Sequence, residues 1–538
     1  MKNVLLPKKI IDSKNVLNVD KLLIEKPMQI GLNEPDLTVI EKGGFVILDF
    51  GKELCGSLRL LAHVGGGERK ARIVYGESVS EAMCKIGEKG ATNDHIVRDG
   101  EYYIPDYSDT TFTNSGFRFV MISTVGDSVI CIKNAVVTPT IYEKAYKGKF
   151  VCDDKRINKI YSTAAWTLRL CLQNGMVWDG IKRDRLVWIG DMNPETLTTN
   201  CLYGAVPHIE NSLTFAKEQS PLPLWMNNFP TYSLWWIVNL KDYYFQNKNI
   251  EYLTAQKQYL IGLMAQISAH VREDGTCAYK DIFIDWPSHY TPDEPNETKR
   301  LDEITGTHAL TVYAVICAKE ILQILGEDYS ICDDILARLR KTTYKTIKFK
   351  QIAGIRIIAG EGTEEDAKLI VEGGAEGMST FMSYFILKGA STYGYIDESL
   401  KMMTDYYGAM LDLGATSFWE DFDVAWSENA GRIDRKPTKN KKDVHGDYGA
   451  FCYKGFRHSF CHGWSSGVVP FLTSVIAGIE IVKAGCEEIR IKPNLGYLNH
   501  VKVDYPTPFG ILKVEHQKNA DGSVTTKTVV PNGIKIVK

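Results

Sequence analysis

Up to about residue 145, apolar positions come in short or alternating runs. Val46-Ile47-Leu48-Asp49-Phe50-Gly51 leads into Ser57-Leu58-Arg59-Leu60 and then Arg72-Ile73-Val74-Tyr75-Gly76. Phe117 to Ile122 and Val129 to Ile132 continue the series, with Gly, Asp and Asn clusters between runs. Gly65-Gly66-Gly67 falls among them as a turn. This pattern predicts an N-terminal β-sandwich over residues 1–148. Near residue 150 the period lengthens. Ile157 to Leu172, Ser233 to Phe245, Glu251 to Val271, Thr307 to Leu325 and Leu400 to Leu411 are helical stretches separated by Gly- and Pro-rich loops. More than 300 residues of helices without intervening strands argue against a βα barrel and suit a helical toroid, an (α/α)6 barrel over 149–483. No fixed-period self-similarity supports a superhelical repeat array. After Gly485 period-two alternation returns in Ile489 to Pro493, Val501 to Val503, Gly510 to Val514 and Thr525 to Val530, which predicts a C-terminal β-domain over 484–538.

Composition narrows the functional classes. The 538 residues hold 63 Lys and Arg against 66 Asp and Glu, a net charge of −3, so no positive excess exists to neutralise a nucleic-acid backbone. No run approaches the ~20 apolar residues of a membrane span, and Met1 to Val16 lacks a signal-peptide core, so no membrane partner and a cytoplasmic location are expected. The twelve cysteines show no CxxC spacing, and Cys171, Cys317 and Cys461 sit in apolar contexts as small buried hydrophobes. The eleven histidines present no set that reads as a zinc site, and no Walker, GxGxxG or GxSxG motif occurs. Neither metal nor cofactor is expected. The acidic run Asp293 to Glu297 reads as a solvated face. Ten Trp, 27 Tyr and 20 Phe are more telling, because several Trp stand beside carboxylates. Rings that stack on C–H faces and acids that hold hydroxyls are what a sugar cleft needs.

Trp178 to Asp191 packs Asp179, Asp184 and Asp191, the bases Lys182, Arg183 and Arg185, and Trp178 and Trp188 into fourteen positions. Buried, such a loop must pair its charges, and a purely structural set of salt bridges is the plain alternative. A second cluster runs Thr416-Ser417-Phe418-Trp419-Glu420-Asp421-Phe422-Asp423, which could equally cap a helix. Ser459 to Gly467 sets His462 beside Trp464, and Asp285-Trp286 repeats the acid–Trp pairing. One carboxylate from each of the first two clusters fits glycoside hydrolysis. One protonates the leaving oxygen, and the other activates water or attacks carbon.

These clusters resemble the inverting α-L-rhamnosidases of glycoside hydrolase family 78, which have an (α/α)6 barrel between β-domains. The family motif D-x-x-x-R-[DE]-x-x-x-W-x-G-D stands here as Asp179, Arg183, Asp184, Trp188, Gly190 and Asp191. Its T-x-x-W-E motif stands as Thr416, Trp419 and Glu420. The resemblance implies Asp184 as general acid, where the family usually has Glu, and Glu420 as general base. Asp191 is the reserve acid. It implies Asp179, Arg183 and Asp191 as holders of rhamnose hydroxyls and Trp188, Trp236, Trp286 and Trp419 as apolar walls. His462 is the sugar-contacting histidine, displaced along the chain by the polar insert Arg432 to Asp447. An inverting pair of carboxyls should stand roughly 6.5–9.5 Å apart. The single N-terminal β-domain suggests small soluble rhamnosides rather than polysaccharide as substrates. The expected partner is a small carbohydrate, with a homodimer left open. The alternatives are an (α/α)6 glycosidase for another sugar and a non-catalytic carbohydrate-binding relative.

Overall fold

The computed structural model describes residues 4–537. The N-terminal domain is one six-stranded sheet: β1 (Lys9–Leu17), β2 (Thr38–Ala62), β3 (Lys70–Gly76), β4 (Asp99–Tyr103), β5 (Ser108–Thr124) and β6 (Ile130–Pro139). Its order is β1-β2-β5-β3-β4, with β6 parallel to β2 and the other pairs antiparallel. β2 is 25 residues long and loses register with β5 between Asp49 and Leu54. Val46, Leu48 and Phe50 before that break share one core with Leu58, Leu60 and Ala62 after it. The sheet therefore curls over its own apolar face, with a short helix, α1 (Val79–Met83), covering Val74 and Phe119 on the other side. Strand β7 (Lys149–Cys152) leads out of this domain and pairs with a strand near the C-terminus.

Eleven helices follow: α2 (Lys155–Cys171), α3 (Met192–Tyr203), α4 (Pro207–Gln219), α5 (Pro230–Asn247), α6 (Ile250–His270), α7 (Glu297–Leu325), α8 (Ser330–Leu339), α9 (Lys350–Ile358), α10 (Glu364–Val371), α11 (Ser383–Thr392) and α12 (Ile396–Asp412). The helical segment 463–476 completes six hairpins. It packs against α2, α3 and α11 and so closes the ring. The odd-numbered helices α3 to α11 and this last segment pack on one another as an inner ring, and α2 and the even-numbered helices stand outside. Burial follows the position. Fourteen of the eighteen residues of α5 are buried, whereas α10 buries only Asp366, Ala367 and Ile370. A helix apolar on every side belongs in a core, and one with a single apolar stripe covers it. Helix α7 has the length and apolar composition of a membrane-crossing helix, and here it packs between α5 and α9 in the inner ring.

The C-terminal domain has two sheets. Ile479–Lys483, Glu488–Ile491 and Lys535–Val537 form one. Val524–Val529, Gly510–Lys518, His500–Thr507 and β7 form the other. The pairing of Ile479–Lys483 places the start of this domain a few residues ahead of 484, and β7 joins it from the far end of the barrel sequence. Val501, Val503, Leu512 and Val514 belong to the same continuous core as the helices, so the domain is docked rather than tethered.

Candidate active site

The loops that lead into the inner helices meet at one end of the ring. They enclose a pocket of about 240 Å³ lined by Asp179, Arg183, Asp184, Trp188, Asp191, Phe229, Tyr232, Phe283, Trp286, Glu420, Cys452, Tyr453, Arg457, His462 and Trp464. Asp191 precedes α3, and His462 precedes the last inner segment. The pocket thus faces the positive ends of inner helices, which favours the carboxylates gathered there.

Local backbone geometry sets the first cluster. Asp184 and Arg185 both adopt left-handed conformations, with φ of 52° and 58°. That turn sends consecutive side chains apart. Arg183 and Asp184 face the pocket, while Arg185 reaches back to Asn114 of the N-terminal domain and lies over Trp178. The loop is also gripped from behind. Gly116 N–H donates to Ile181 O at 2.9 Å, and a Cβ at 116 would stand 2.4 Å from the Ile181 side chain. Only glycine allows strand β5 to approach that closely.

Glu420 lies in the loop after α12, and its backbone is fixed on every side. Its N–H donates to Ser459 O, while Trp464 Nε1 and the Thr380 hydroxyl donate to its carbonyl. Upstream, the Thr416 hydroxyl accepts from Glu53 N–H of β2 at 2.8 Å, which ties the loop to the N-terminal domain.

The two clusters meet through one guanidinium. Arg183 Nη2 donates to both oxygens of Glu420, at 2.5 and 2.6 Å, while Nη1 donates to Asp184 Oδ1 at 2.9 Å. The facing oxygens of Asp184 and Glu420 are therefore no farther apart than two hydrogen bonds plus the width of a guanidinium. His462 Nε2 stands 3.3 Å from Glu420 Oε1, 3.7 Å from Asp179 Oδ2 and 3.8 Å from Asp191 Oδ2. Asp179 Oδ1 accepts from Leu186 N–H, and Asp191 Oδ1 accepts from the Tyr232 hydroxyl.

These surroundings drive the carboxyls apart in acidity. Burial alone would raise Glu420, but Arg183 and then His462 outweigh it and hold the group well below the usual carboxylate range. Burial raises Asp191 to about 7, against the pull of His462 and the Tyr232 hydroxyl. Asp179 is pushed up by burial and by the charges of Asp184 and Asp191. One buried carboxylate is thus kept ionised while its neighbours favour the proton, the division of labour that acid–base chemistry requires.

Trp188 and Trp286 line the pocket as expected, with Trp286 Nε1 donating to the Tyr453 hydroxyl at 2.6 Å. Two other expected walls do not reach it. Trp236 is fully buried on α5, donates to Leu213 O and packs against Tyr259 on the outer side of that helix. Its neighbours on the same helix, Tyr232 and Trp235, turn to the pocket wall and the barrel core instead. Trp419 is likewise fully buried, stacked on Phe460 with centroids 4.0 Å apart behind Glu420. It shapes the loop rather than the cavity. Phe229, Tyr232, Phe283 and Tyr453 supply the missing aromatic surface. The Phe229-Pro230 step, where an inner helix begins, was the available signal, since a proline at the first helical position marks a helix entry.

His458 and His462 have the HxxxH spacing that would aim two imidazoles at one ion on a helix. Here the backbone is extended at both residues, His458 Nε2 accepts from Asp421 N–H, and His462 faces the carboxylates. Among the described residues, Glu77, Glu81 and His445 converge closely enough for a metal, but Lys182 Nζ already lies 3.3 Å from Glu77 and 2.8 Å from Glu81. A fixed cation in that place leaves no charge for another.

Comparisons agree with this architecture. Residues 145–329 match the family described as bacterial alpha-L-rhamnosidase 6 hairpin glycosidase domain, and 478–537 match the bacterial alpha-L-rhamnosidase C-terminal domain. No curated protein matches the sequence. Among solved structures, the GH78 family rhamnosidase of Bacillus sp. GL1 superposes with a TM-score of 0.74 at 18% identity, covering 96% of this chain and 55% of that one. The alpha-L-rhamnosidase from Dictyoglumus thermophilum gives 0.69 at 16% identity over 93% and 58%. The rhamnosidase from Klebsiella oxytoca with rhamnose bound gives 0.66 at 17% identity over 87% and 95%. The chain spans little more than half the length of the first two, and at these identities the likeness is one of fold. Residues 145–329 and 478–537 thus carry the six-hairpin and C-terminal domains described for the bacterial alpha-L-rhamnosidases, and the solved rhamnosidases share the fold of the chain.

Proposed function

We propose that the protein removes terminal α-L-rhamnose from rhamnosides by single displacement, with Asp184 as general acid and Glu420 as general base. The observation that carries this reading is the Arg183 fork, which brings a carboxyl from each of two distant chain segments to one aromatic-walled pocket. Glu420, ionised and buried, takes a proton from water as that water attacks the anomeric carbon. Asp184 is 19% exposed, at the rim, and its Oδ1 is engaged by Arg183. Its other oxygen gives a proton to the departing oxygen. Asp179, Asp191 and His462 hold the ring hydroxyls, and Trp188 and Trp286 face the apolar side of the sugar.

A specific observation favours one variation. Asp191 is raised to about 7 by burial, so it holds a proton far more readily than an ordinary carboxyl and is the second candidate donor. Release of p-nitrophenol from its α-L-rhamnoside by wild type, Asp184→Asn, Asp191→Asn and Glu420→Gln tests the assignment. Loss of several orders of magnitude in Glu420→Gln on this substrate, with Asp184→Asn losing little on it but several orders of magnitude on methyl α-L-rhamnoside, whose leaving group needs the proton, supports it. A silent wild type that cleaves another sugar in a glycoside panel removes the rhamnose assignment and leaves the acid–base pair to be tested on that sugar. Rhamnose binding by calorimetry without any turnover favours a binding protein.

A further inference from the structure

The N-terminal domain sends one more side chain to the acid. Between α1 and β4 the chain runs out from the sheet to the barrel, where Arg457 Nη1 donates to Asp94 at 2.7 Å and Lys89 Nζ pairs with Asp447. His95, in a left-handed conformation with φ of 67°, follows directly. Its Nε2 stands 3.3 Å from Asp184 Oδ1, and its side chain is one-third exposed. Asp184 is thus flanked by two bases with different reach. Arg183 is nine-tenths buried on the pocket side, and His95 opens to solvent. Among the described residues, Asp184 Oδ2 accepts no protein hydrogen bond, so it is the oxygen left to face the substrate. The charged groups around His95 are Asp184, Asp94, and, through those two carboxylates, Arg183 and Arg457.

We infer that His95 is a positioning and proton-relay residue that reloads the general acid, which extends the proposed assignment of Asp184 and rests on it. Inverting turnover leaves the donor as a carboxylate and the base protonated. Asp184 gives its proton to the glycosidic oxygen as the C1–O bond breaks, and Glu420 gains one from water as the new C1–O bond forms. Glu420 returns its proton to solvent. Protonated His95 then passes its Nε2 proton to the Asp184 carboxylate and, with Nδ1 still protonated, takes its replacement from solvent at Nε2. A half-turn about Cβ–Cγ of Asp184 presents the protonated oxygen to the pocket. Imidazole is the side chain suited to passing protons near neutrality, and one more open to solvent than the acid it touches supplies a route that Arg183, always charged, cannot. The route also gives the N-terminal domain a part in the chemistry beyond support.

The test compares a substrate that needs protonation with one that does not. Methyl α-L-rhamnoside leaves as an alkoxide and requires the acid, whereas p-nitrophenolate leaves unaided. His95→Ala and His95→Gln should each lose on the order of a hundredfold or more in kcat on the methyl glycoside but only a few-fold on the aryl one. Melting temperatures should stay at the wild-type value, and added imidazole should restore His95→Ala. Equal losses on both substrates, or a His95→Gln enzyme with full activity on the methyl glycoside, overturn the relay. Asp184→Asn is measured alongside. If it shows the leaving-group dependence and the His95 variants do not, the relay alone fails. If Asp184→Asn shows none, the assignment of Asp184 fails and takes the relay with it.

Discussion

Arg183 grips both carboxylate oxygens of Glu420, at 2.5 and 2.6 Å, with the two side chains almost wholly buried. Burial of a charge is costly, and this pair offsets it only while both partners are present. Arg183 is therefore what makes Glu420 a base at all. In Arg183→Met the burial that already pushes Glu420 upward acts without its main opponent, and the carboxyl takes a proton. The expected outcome is a loss of at least about a hundredfold in kcat/KM at neutral pH. What survives should have its acidic limb displaced to higher pH. A pH–rate profile of Arg183→Met with the wild-type acidic limb contradicts this account of Glu420.

Trp286 and Trp236 separate pocket from core. Trp286 faces the cavity, so Trp286→Ala should raise KM by about tenfold, the order of one aromatic stacking contact, with little change in melting temperature. Trp236 is enclosed on α5, and Trp236→Ala should cost about 3–5 kcal/mol of stability while each folded molecule keeps its turnover. Denaturant unfolding and Michaelis–Menten kinetics on both variants check the pair. An unchanged KM for Trp286→Ala would remove that ring from the sugar's wall.

Lys182 belongs to the catalytic loop but points away from the pocket, to Glu77 and Glu81 of the N-terminal domain and to His458 O. Glu77 in turn accepts from Phe460 N–H, two residues before His462. One buried cation thus holds together three segments that frame the site. Lys182→Met leaves buried Glu77 without its ion-pair partner and Glu81 with Arg98 alone, and a loss of about 3–5 kcal/mol is expected. Differential scanning calorimetry should show it as a marked drop in melting temperature. A variant as stable as wild type would mean that the N-terminal domain is not anchored here.

Asp285 is buried behind Trp286, and burial raises its carboxyl to about 7, against hydrogen bonds from Ser379 and from Trp286 N–H. Between the ordinary carboxylate range and pH 7, the folded protein keeps a proton that the unfolded chain has released. Stability contributed by this group is therefore present at low pH and lost as pH rises through about 7. The loss runs at up to roughly 1.4 kcal/mol per pH unit within that window. Asp285→Asn fills the same space without titrating. Its unfolding free energy should match wild type only below about pH 4 and exceed it increasingly up to pH 7 and above. Parallel curves would show that Asp285 stays ionised throughout.

Much of this layout was readable from the order of residues, and the exceptions have physical causes. The helical stretches at Ile157, Ser233, Glu251, Thr307 and Leu400 fall on observed helices to within one residue, because long apolar periods survive tertiary context. Helix α3 was not legible. Met192 to Tyr203 is rich in Thr and Asn, and its helical state comes from burial on almost every side in the inner ring. The charged cluster from Asp179 to Asp191 and the Trp419-Glu420 pair were visible as local anomalies, and the fold joins them. A tryptophan beside an acid could not be sorted into wall or core by sequence. Trp286 and Trp419 each stand beside an acid along the chain, yet one lines the pocket and the other is buried against Phe460. His95 was invisible for another reason: nothing in a loop of an N-terminal β-domain points to a carboxyl 89 positions later.

The central claim is inversion at an α-L-rhamnoside, and the anomeric form of the first sugar released tests it most directly. Proton NMR during the first minutes of p-nitrophenyl α-L-rhamnoside hydrolysis, before mutarotation sets in, should show β-L-rhamnose appearing first and α-L-rhamnose only later. Initial release of α-L-rhamnose would mean retention and a nucleophile in place of the Glu420 base, and no release at all would contradict the assignment of the substrate.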